Sequence, residues 1–532
     1  MLIIFKYFPN LSRCYIIDTE GAAESKILVT FHNQEQFEEG ETSMETREKV
    51  FFDASSRYSG FEFTKKRALQ LLAAIVVGLI FYSLPIAELS HEAKIAFGIL
   101  AGSTVMFMTQ CLPQGVITLT IAIMTLATGI LNMGEFQTNF GKSPFMMVMA
   151  LMVVSAGMKH TQLAQRITYF FIAKLGSSRS MLVLAILFST SLISVFISDL
   201  ATLVLIYPIV LKVLEELGEK PGKSRLGKAL LLACGWGTYI GGLALMSGNG
   251  INVTGVTMLE TASEGAVTVS YNQWAMIGIP FALVMQIPAW LVLVAVFKVN
   301  KVDPDAPQVN RALFEQRLRD LGPLNAAEKR FLATVFLMVA MFLSGSVIPM
   351  FSSIPLVSFI AMAITIAPVV GTVNWKQAQK EINWDVLLLI GFVVAFAGAI
   401  TKTGLGKWMV ELVLGQSTSW AIWQIVLMCG IVGTLVHFVV VANGNGAVAI
   451  LLAGVVPIAT AAGLNPMVMA LPMLFTATVG LVSPIQVTYF ITSESGYYKL
   501  SEVLLPATLL GIVWVLFLTF EMMAVGPILG LF

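Results

Sequence analysis

Charge is what this chain has least of. Asp, Glu, Lys and Arg make up 12% of its 532 residues, where a soluble globular protein carries about 25%. Apolar residues reach 57% without counting the 43 glycines, and mean hydropathy is +0.83. A water-soluble fold of that composition would expose apolar patches large enough to aggregate. The chain is therefore read as an integral membrane protein. Its 32 basic and 31 acidic residues leave a formal net charge of +1, so there is no basic field to attract nucleic acid. Cysteine is equally sparse. Cys14, Cys111, Cys234 and Cys429 stand far apart, three of them within apolar stretches, which excludes a disulfide framework and any zinc spacing. The His-Glu-x-x-His, Walker and Gly-x-Ser-x-Gly signatures are missing too, and an enzyme is not expected.

What is present is a succession of apolar runs. A full span needs about 20 apolar residues. Runs of that kind cover 68–87, 95–112, 114–132, 144–160, 229–258, 274–297, 331–349, 354–372, 384–401, 466–493 and 503–526. Two further stretches, 181–212 and 420–462, each consist of an apolar arm, a polar kink and a second apolar arm. Arms of about 15 residues around a polar apex fit re-entrant hairpins better than full spans. The expected fold is thus an all-α polytopic membrane protein with about 11 transmembrane helices and two re-entrant hairpins. Residues 1–65 hold no such run but many acidic side chains, among them Glu35, Glu38, Glu39, Glu41, Glu45 and Glu48. Two readings of that segment stay open: a mobile cytoplasmic tail, or an upstream gene-model extension with Met44 as the true start.

Positive charge suggests an orientation. Lys65, Lys66 and Arg67 precede the first run, and the loops 212–228 and 298–330 are rich in Lys and Arg. Between them, 229–297 contains neither residue, and Glu260 and Glu264 occupy its midpoint. The basic loops are expected in the cytoplasm, with the amino terminus inside, as in a bacterial inner-membrane protein.

The chain also repeats itself. Ser143-Pro144, an apolar run and Lys159-His160-Thr161-Gln162-Leu163 are echoed by Asn383-Trp384-Asp385, a run of similar length and Thr401-Lys402-Thr403-Gly404-Leu405. A short amphipathic segment (164–176; 406–415) and then a kinked hairpin follow each copy. Counting spans makes the two copies inverted. This divides the chain into a first half at 66–297 with hairpin 181–212, a cytoplasmic linker at 298–330, and a second half at 331–532 with hairpin 420–462. Inverted repeats whose broken elements meet at mid-membrane are the architecture of secondary transporters. With no nucleotide-binding element, such a transporter runs on an ion gradient.

Four polar apices interrupt the apolar runs: Ser198-Asp199-Leu200, Ser247 to Asn252, Asn443 to Gly446, and Ser483 to Thr488. Backbone unwound at membrane depth is tolerated where it lines a cavity or lies buried in protein. Carbonyl and side-chain oxygens at such breaks suit Na⁺, and amides at helix amino ends suit an anion. The same residues could serve packing alone, with glycines letting helices close and Ser or Asn bonding a neighbouring backbone. His160 and His437, single histidines near span ends, are read as structural or interfacial. Lys159 and Arg166 are expected to snorkel to the inner interface.

From about residue 68 onward the chain resembles the divalent anion:sodium symporters, carriers of dicarboxylates, citrate and sulfate. Ser198-Asp199-Leu200-Ala201-Thr202 with Pro208 stands where that family has a Ser-Asn-Thr tip, and Gly444-Asn445-Gly446-Ala447 where it has the second. Ile240-Gly241-Gly242 with Gly248-Asn249-Gly250-Ile251-Asn252 matches the first helix break. Gln486 to Tyr489, before Ser495-Gly496-Tyr497, matches the second, and Thr109-Gln110-Cys111-Leu112-Pro113 is similar to a further family motif. The resemblance implies a Na⁺ site at Ser194, Asp199 and the backbone of Gly248. A second would use Asn445 and backbone near Ile485, although Val440 replaces a usual hydroxyl. It implies a small anionic substrate between the tips, touching Ser198, Asp199, Leu200, Gly444, Asn445 and Gly446, with Asn252 and Gln486 from the breaks. The threonines that would donate to a carboxylate are replaced by Leu200 and Gly446, so a dicarboxylate is not assumed. Elevator-type motion and a homodimer are further implications. Two functional readings follow: a small-anion carrier coupled to Na⁺, or a proton-coupled carrier or cation/proton antiporter in which Asp199 titrates.

Overall fold

The computed structural model describes residues 14–17, 28–31 and 64–532, apart from 110, 141–142, 264, 302–310, 346, 406–407, 409–419, 440–443 and 484–485. The readings of the amino-terminal segment as a mobile tail or an extension, and the second amphipathic segment 406–415, fall largely outside that set. Within the segment, Cys14–Ile17 pairs antiparallel with Leu28–Phe31.

From residue 64 the described residues are helical. The first half runs α1 (Lys65–Ser83), α2 (His91–Thr109), α3 (Gln114–Ala127), α4 (Met133–Phe140), α5 (Ser143–Lys159), α6 (Leu163–Leu175), α7 (Arg179–Ser194), α8 (Asp199–Glu216), α9 (Arg225–Ala244), α10 (Gly250–Ala262) and α11 (Tyr271–Phe297). After α12 (Arg311–Asp320), the second half runs α13 (Ala326–Ser344), α14 (Ile354–Ile366), α15 (Trp375–Glu381), α16 (Trp384–Lys402), α17 (Ile422–Val439), α18 (Gly444–Ala461), α19 (Met467–Ala477), α20 (Val487–Ser493) and α21 (Leu504–Val525). Among the described residues three helices are long and apolar enough to cross a membrane by themselves: α1, α11, and α21 with the turn before it. The run 229–258 is two helices, α9 and α10, and the run 466–493 is α19 and α20. Polar breaks divide both.

Local sequence sets the helix starts. Ser178, Ser224, Ser270, Asn325 and Asn374 each accept a hydrogen bond from a first-turn amide. At Ser270, Asn325 and Asn374 a Gln or Glu three residues on bonds back to the cap. These caps satisfy amides that have no partner inside the helix. Two helices form the centre of the packing. Every residue of α19 is buried, as is every residue of α9 except Arg225 and Lys228. α9 packs on α7, α8 and α11, while α19 packs on α17, α18 and α21. Each of these two enclosed helices is followed by a polar break. Glycines set the close approach. A Cβ on Gly237 or Gly241 would overlap Thr190 or Ser191 of α7.

Charged side chains bind the halves together at the rims. Lys159 pairs with Glu381, Lys228 with Glu502, and Lys402 donates to Glu135 at 2.7 Å. That last bond holds the Glu135 carboxyl below its usual range. Arg166, on α6, reaches Glu328 of α13 at 3.2 Å and also donates to the carbonyls of Leu321 and Gly322. Lys159 and Arg166, expected to extend toward lipid headgroups, instead reach Glu381 of the second half and Glu328 at the end of the linker. Glu328 is fully buried. Removing Arg166 strands that charge, at a cost of about 3–5 kcal/mol. Arg166→Leu should markedly lower the thermal midpoint of the purified protein, and Arg166→Leu with Glu328→Gln should recover part of the loss. An unchanged midpoint in Arg166→Leu would show that this pair does not tie the halves.

Candidate functional site

The first tip is the turn 195–198 between α7 and α8. Ser194 is the last residue of α7 and Asp199 the first of α8, so the tip's geometry puts both side chains on one spot. The Ser194 hydroxyl donates to Asp199 Oδ1 at 3.0 Å. Asn249, from the break between α9 and α10, donates through Nδ2 to Asp199 Oδ2 at 2.7 Å. Asp199 thus sits in the first turn of α8 and beside the start of α10, where two helix amino ends favour negative charge. Gly242 is what lets it in. A Cβ there would overlap Asp199 Oδ1.

The break is bonded at both of its ends, while Asn252 Oδ1 is buried without a hydrogen-bond partner. Asn252 donates from Nδ2 to the carbonyl oxygens of Gly242 at 2.7 Å and Leu245 at 3.3 Å, closing the end of α9. Asn249 Oδ1 accepts from the Ile251 amide at 2.9 Å, starting α10. Between the helices Met246–Gly248 makes a single 3₁₀ turn. Polar backbone at membrane depth is stable only with such partners. Each asparagine therefore serves the fold, and Asn249 serves the site as well.

The same break touches the second tip. Ile251, two residues past Asn249, projects to Gly444 at the start of α18. A Cβ on Gly444 would lie 2.7 Å from Ile251 Cδ1 and 3.1 Å from the Thr478 carbonyl oxygen. Asn249 to Ile251 thus bridges Asp199 of one tip and Gly444 of the other. Two further bonds cross between halves. Trp236 of α9 donates to the Tyr489 hydroxyl at 2.8 Å, and the hydroxyls of Tyr239 and Thr488 bond each other.

In the second break Gly480 adopts a positive φ of 50°, which glycine takes without the usual steric cost. His437 and Gln486 fill the space over it. His437 Nδ1 bonds the Ala477 carbonyl, and Gln486 Nε2 lies 3.1 Å from His437 Nε2. A carbonyl only accepts, so Nδ1 carries the proton and Nε2 accepts from the glutamine amide. That assignment gives a neutral imidazole held at both nitrogens.

The structure brings together Ser194, Asp199 and the Gly248 turn, and places Gly444 across Ile251 from them. Ser198 is exposed beside the cluster and Leu200 is 48% exposed at the tip. Asn252 is fully buried with its amide turned to backbone, and Gln486 lies at the second break with His437. Ile485 and Val440 lie outside the described residues, as do the side-chain surroundings of Asn445 and Gly446. Sequence reasoning missed Asn249 and Gly242 as partners of Asp199, and His437 as a buried member of the second break. Asn249 was visible in the motif, with no local signal to separate it from Asn252.

One carboxylate and one hydroxyl meet here, hard oxygen donors of a kind that suits Na⁺ better than a softer metal. The helix amino ends beside it suit an anion.

Comparison with known proteins agrees in kind. A family model described as the sodium:sulfate symporter transmembrane region matches residues 65–532. The chain is 26% identical to chloroplastic dicarboxylate transporter 1 of Arabidopsis thaliana, over 76% of this chain and 72% of that one. It is 24% identical to the sodium-dependent dicarboxylate transporter SdcS of Staphylococcus saprophyticus, over 86% of this chain and 92% of that one. Its fold is shared with the crystal structure of the Alcanivorax borkumensis YdaH transporter, at a TM-score of 0.54 and 14% identity, over 86% of this chain and 97% of that one. MtrF of Neisseria gonorrhoeae gives a TM-score of 0.53 at 11% identity, over 85% of this chain and 94% of that one. One family model thus covers every helix described above, and the chain belongs to the sodium:sulfate symporter transmembrane-region family, whose members are integral membrane transporters.

Proposed function

We propose that the chain is a secondary active transporter that moves a small anion, a carboxylate or sulfate-like ion, together with Na⁺. The observation that carries this reading is Asp199 held by Ser194 and Asn249 where two helix amino ends meet. A carboxylate at membrane depth costs about 2.5–3.5 kcal/mol on insertion scales and marks a functional site. Na⁺ on Asp199, Ser194 and the Gly248 carbonyl offsets that charge. An anion then binds between the tips, against Ser198 and the amino ends of α8 and α18. Without the cation, Asp199 would repel it, so Na⁺ binds first. Asn445 and backbone near Ile485 would hold a second Na⁺. Leu200 and Gly446 offer no hydroxyl, so the anion rests on backbone amides and on hydrocarbon at Leu200. That arrangement favours an anion with one charged end or an apolar flank over a symmetrical dicarboxylate.

In this reading the two tips and two breaks travel as one body, elevator fashion, against the remaining helices, and two copies form a dimer in a bacterial inner membrane. Uptake into proteoliposomes tests the chemistry. An inward Na⁺ gradient should drive accumulation of at least one of sulfate, succinate and butyrate, and an equal K⁺ gradient should not. Equal uptake under both gradients would remove Na⁺ from the account.

Orientation has its own test. Lys223 is exposed, whereas its neighbour Ser224 is buried as a helix cap. In a variant without native cysteines, Lys223→Cys should resist an impermeant thiol reagent in intact cells and react in inverted vesicles. Labelling in intact cells would reverse the topology.

A further inference from the structure

We infer that Glu521 is a proton-binding site buried in the membrane, separate from the Asp199 cluster; its coupling role rests on the transporter reading above. Glu521 lies on α21 and is 4% exposed. Neither carboxyl oxygen makes a well-formed hydrogen bond. The Phe281 amide of α11 lies close enough to act on it without completing a well-aligned bond. Pro280, directly before Phe281, has no amide of its own, and its ring disturbs that turn of the helix. The surroundings are aromatic. The ring of Phe281 packs 4.8 Å from Trp514 and 5.7 Å from Phe517, and Phe517 is one helical turn before Glu521.

Among the described residues, no cation faces this carboxyl from the elements packed most closely on α21, which are α11, α17, α19 and the turn Leu500–Glu502. α11 holds no Asp, Glu, Lys or Arg, and its one titratable group, Tyr271, is bonded to Ser247 at 2.9 Å. α19 holds no titratable group at all. α17 supplies Cys429 and His437, and both ring nitrogens of His437 are engaged. The turn supplies Glu502, at the opposite end of α21 and paired with Lys228. Glu521 is the one charged residue type on α21 itself.

An unpaired carboxylate so enclosed is too costly to persist, and the neutral acid is the form that fits. A metal cation would need several oxygen ligands, and among the described residues α11, α17 and α19 bring no second carboxylate to this one. Among the described residues no group of three His, Cys, Asp or Glu side chains converges on a common point. A proton needs one oxygen. Leucine would fill the same space at no electrostatic cost, so packing alone does not account for a glutamate here. α21 packs on α17 and α19, which carry the second tip and break, and on α11, which follows the first break. The proton therefore sits inside the body proposed to move, and it binds and leaves once per cycle in the same direction as the anion.

Infrared difference spectroscopy on the purified full-length protein reads the proton directly. At neutral pH the wild type should show the carbonyl stretch of a neutral carboxylic acid that Glu521→Gln lacks. Glu521→Asp should shift this band, and transfer to D₂O should displace it. Absence of the band, or a band that never responds to D₂O, overturns the proposal. In proteoliposomes with sulfate as the probe and equal Na⁺ on both sides, an acid exterior of one pH unit should raise accumulation about tenfold if one proton is coupled. In Glu521→Gln the ratio with and without that gradient should fall to about one, the limit without coupling. A ratio unchanged by the substitution overturns the coupling role. If the wild type takes up no anion under any gradient, the transporter reading fails, and the infrared result still decides the proton site.

Discussion

Replacing Gly242 with alanine should abolish Na⁺-driven uptake while leaving the protein in the membrane and folded. The added methyl group occupies the place of Asp199 Oδ1. Asp199 must then turn away, which breaks the bonds from Ser194 at 3.0 Å and Asn249 at 2.7 Å together. Overpacking of this kind costs about 1–3 kcal/mol, too little to unfold a structure with so large a buried interior. The loss falls on the site. Because the clash is with one carboxyl oxygen, shortening residue 199 relieves it. Asp199→Ser alone and Asp199→Ser with Gly242→Ala should therefore be almost equally impaired, a strong departure from additivity. Uptake rates and apparent Na⁺ affinity for the three variants give the answer. A Gly242→Ala variant with near-normal Na⁺ dependence would mean that Asp199 does not sit against Gly242 during transport.

Asp199→Asn should have the second-largest effect, and of a different kind. The amide keeps the shape of the carboxyl. Its oxygen can still accept from Asn249, while its NH₂ donates to a Ser194 hydroxyl rotated to accept. The tip stays assembled, but the cation loses a full negative charge and one ligand oxygen. Transport should continue, with apparent Na⁺ affinity weakened by at least about tenfold, equivalent to about 1.4 kcal/mol. Sulfate and succinate should then be tested at saturating Na⁺, where the variant should approach the wild-type rate. If Na⁺ dependence is unchanged, Asp199 is a structural cap for α8 and the cation lies elsewhere.

Much of this was legible before any coordinates. The two kinked stretches become α7–α8 and α17–α18, and the polar interruptions at 247–252 and 483–488 fall where α9 and α19 end. Composition decides such features, because a polar apex amid hydrocarbon has no other place to go. Ser194 and Asp199, two of the residues named from the resemblance, bond each other at the first tip. What stayed hidden depends on direction. Asn249 and Asn252 stand three residues apart in one motif, yet one turns to Asp199 and the other to the carbonyls that end α9. The 3₁₀ turn between α9 and α10 makes that choice, and no local propensity encodes it. His437 looked like a histidine near a span end. The ring and Gln486 fill the space left by the missing side chain of Gly480, distant in sequence, where a Cβ would overlap both. Glu521 is a single acidic residue in a long apolar run, and its burial with both oxygens unbonded follows from tertiary packing, which no sequence pattern encodes. The partners of Lys159 and Arg166, Glu381 and Glu328, stand more than 150 residues away, so no local pattern pairs them.

The central claim, that a cation held at Asp199 prepares the site for an anion, is tested most directly by thermal unfolding of the purified protein. Sulfate, succinate and butyrate are each added in NaCl and in choline chloride at equal ionic strength. A ligand that binds only the folded state raises the midpoint in proportion to its occupancy. The account predicts that at least one anion raises the midpoint in NaCl and that none does so in choline chloride. It further predicts that Asp199→Asn needs more Na⁺ to reach the same rise. An anion that stabilises the protein equally in both salts would contradict it.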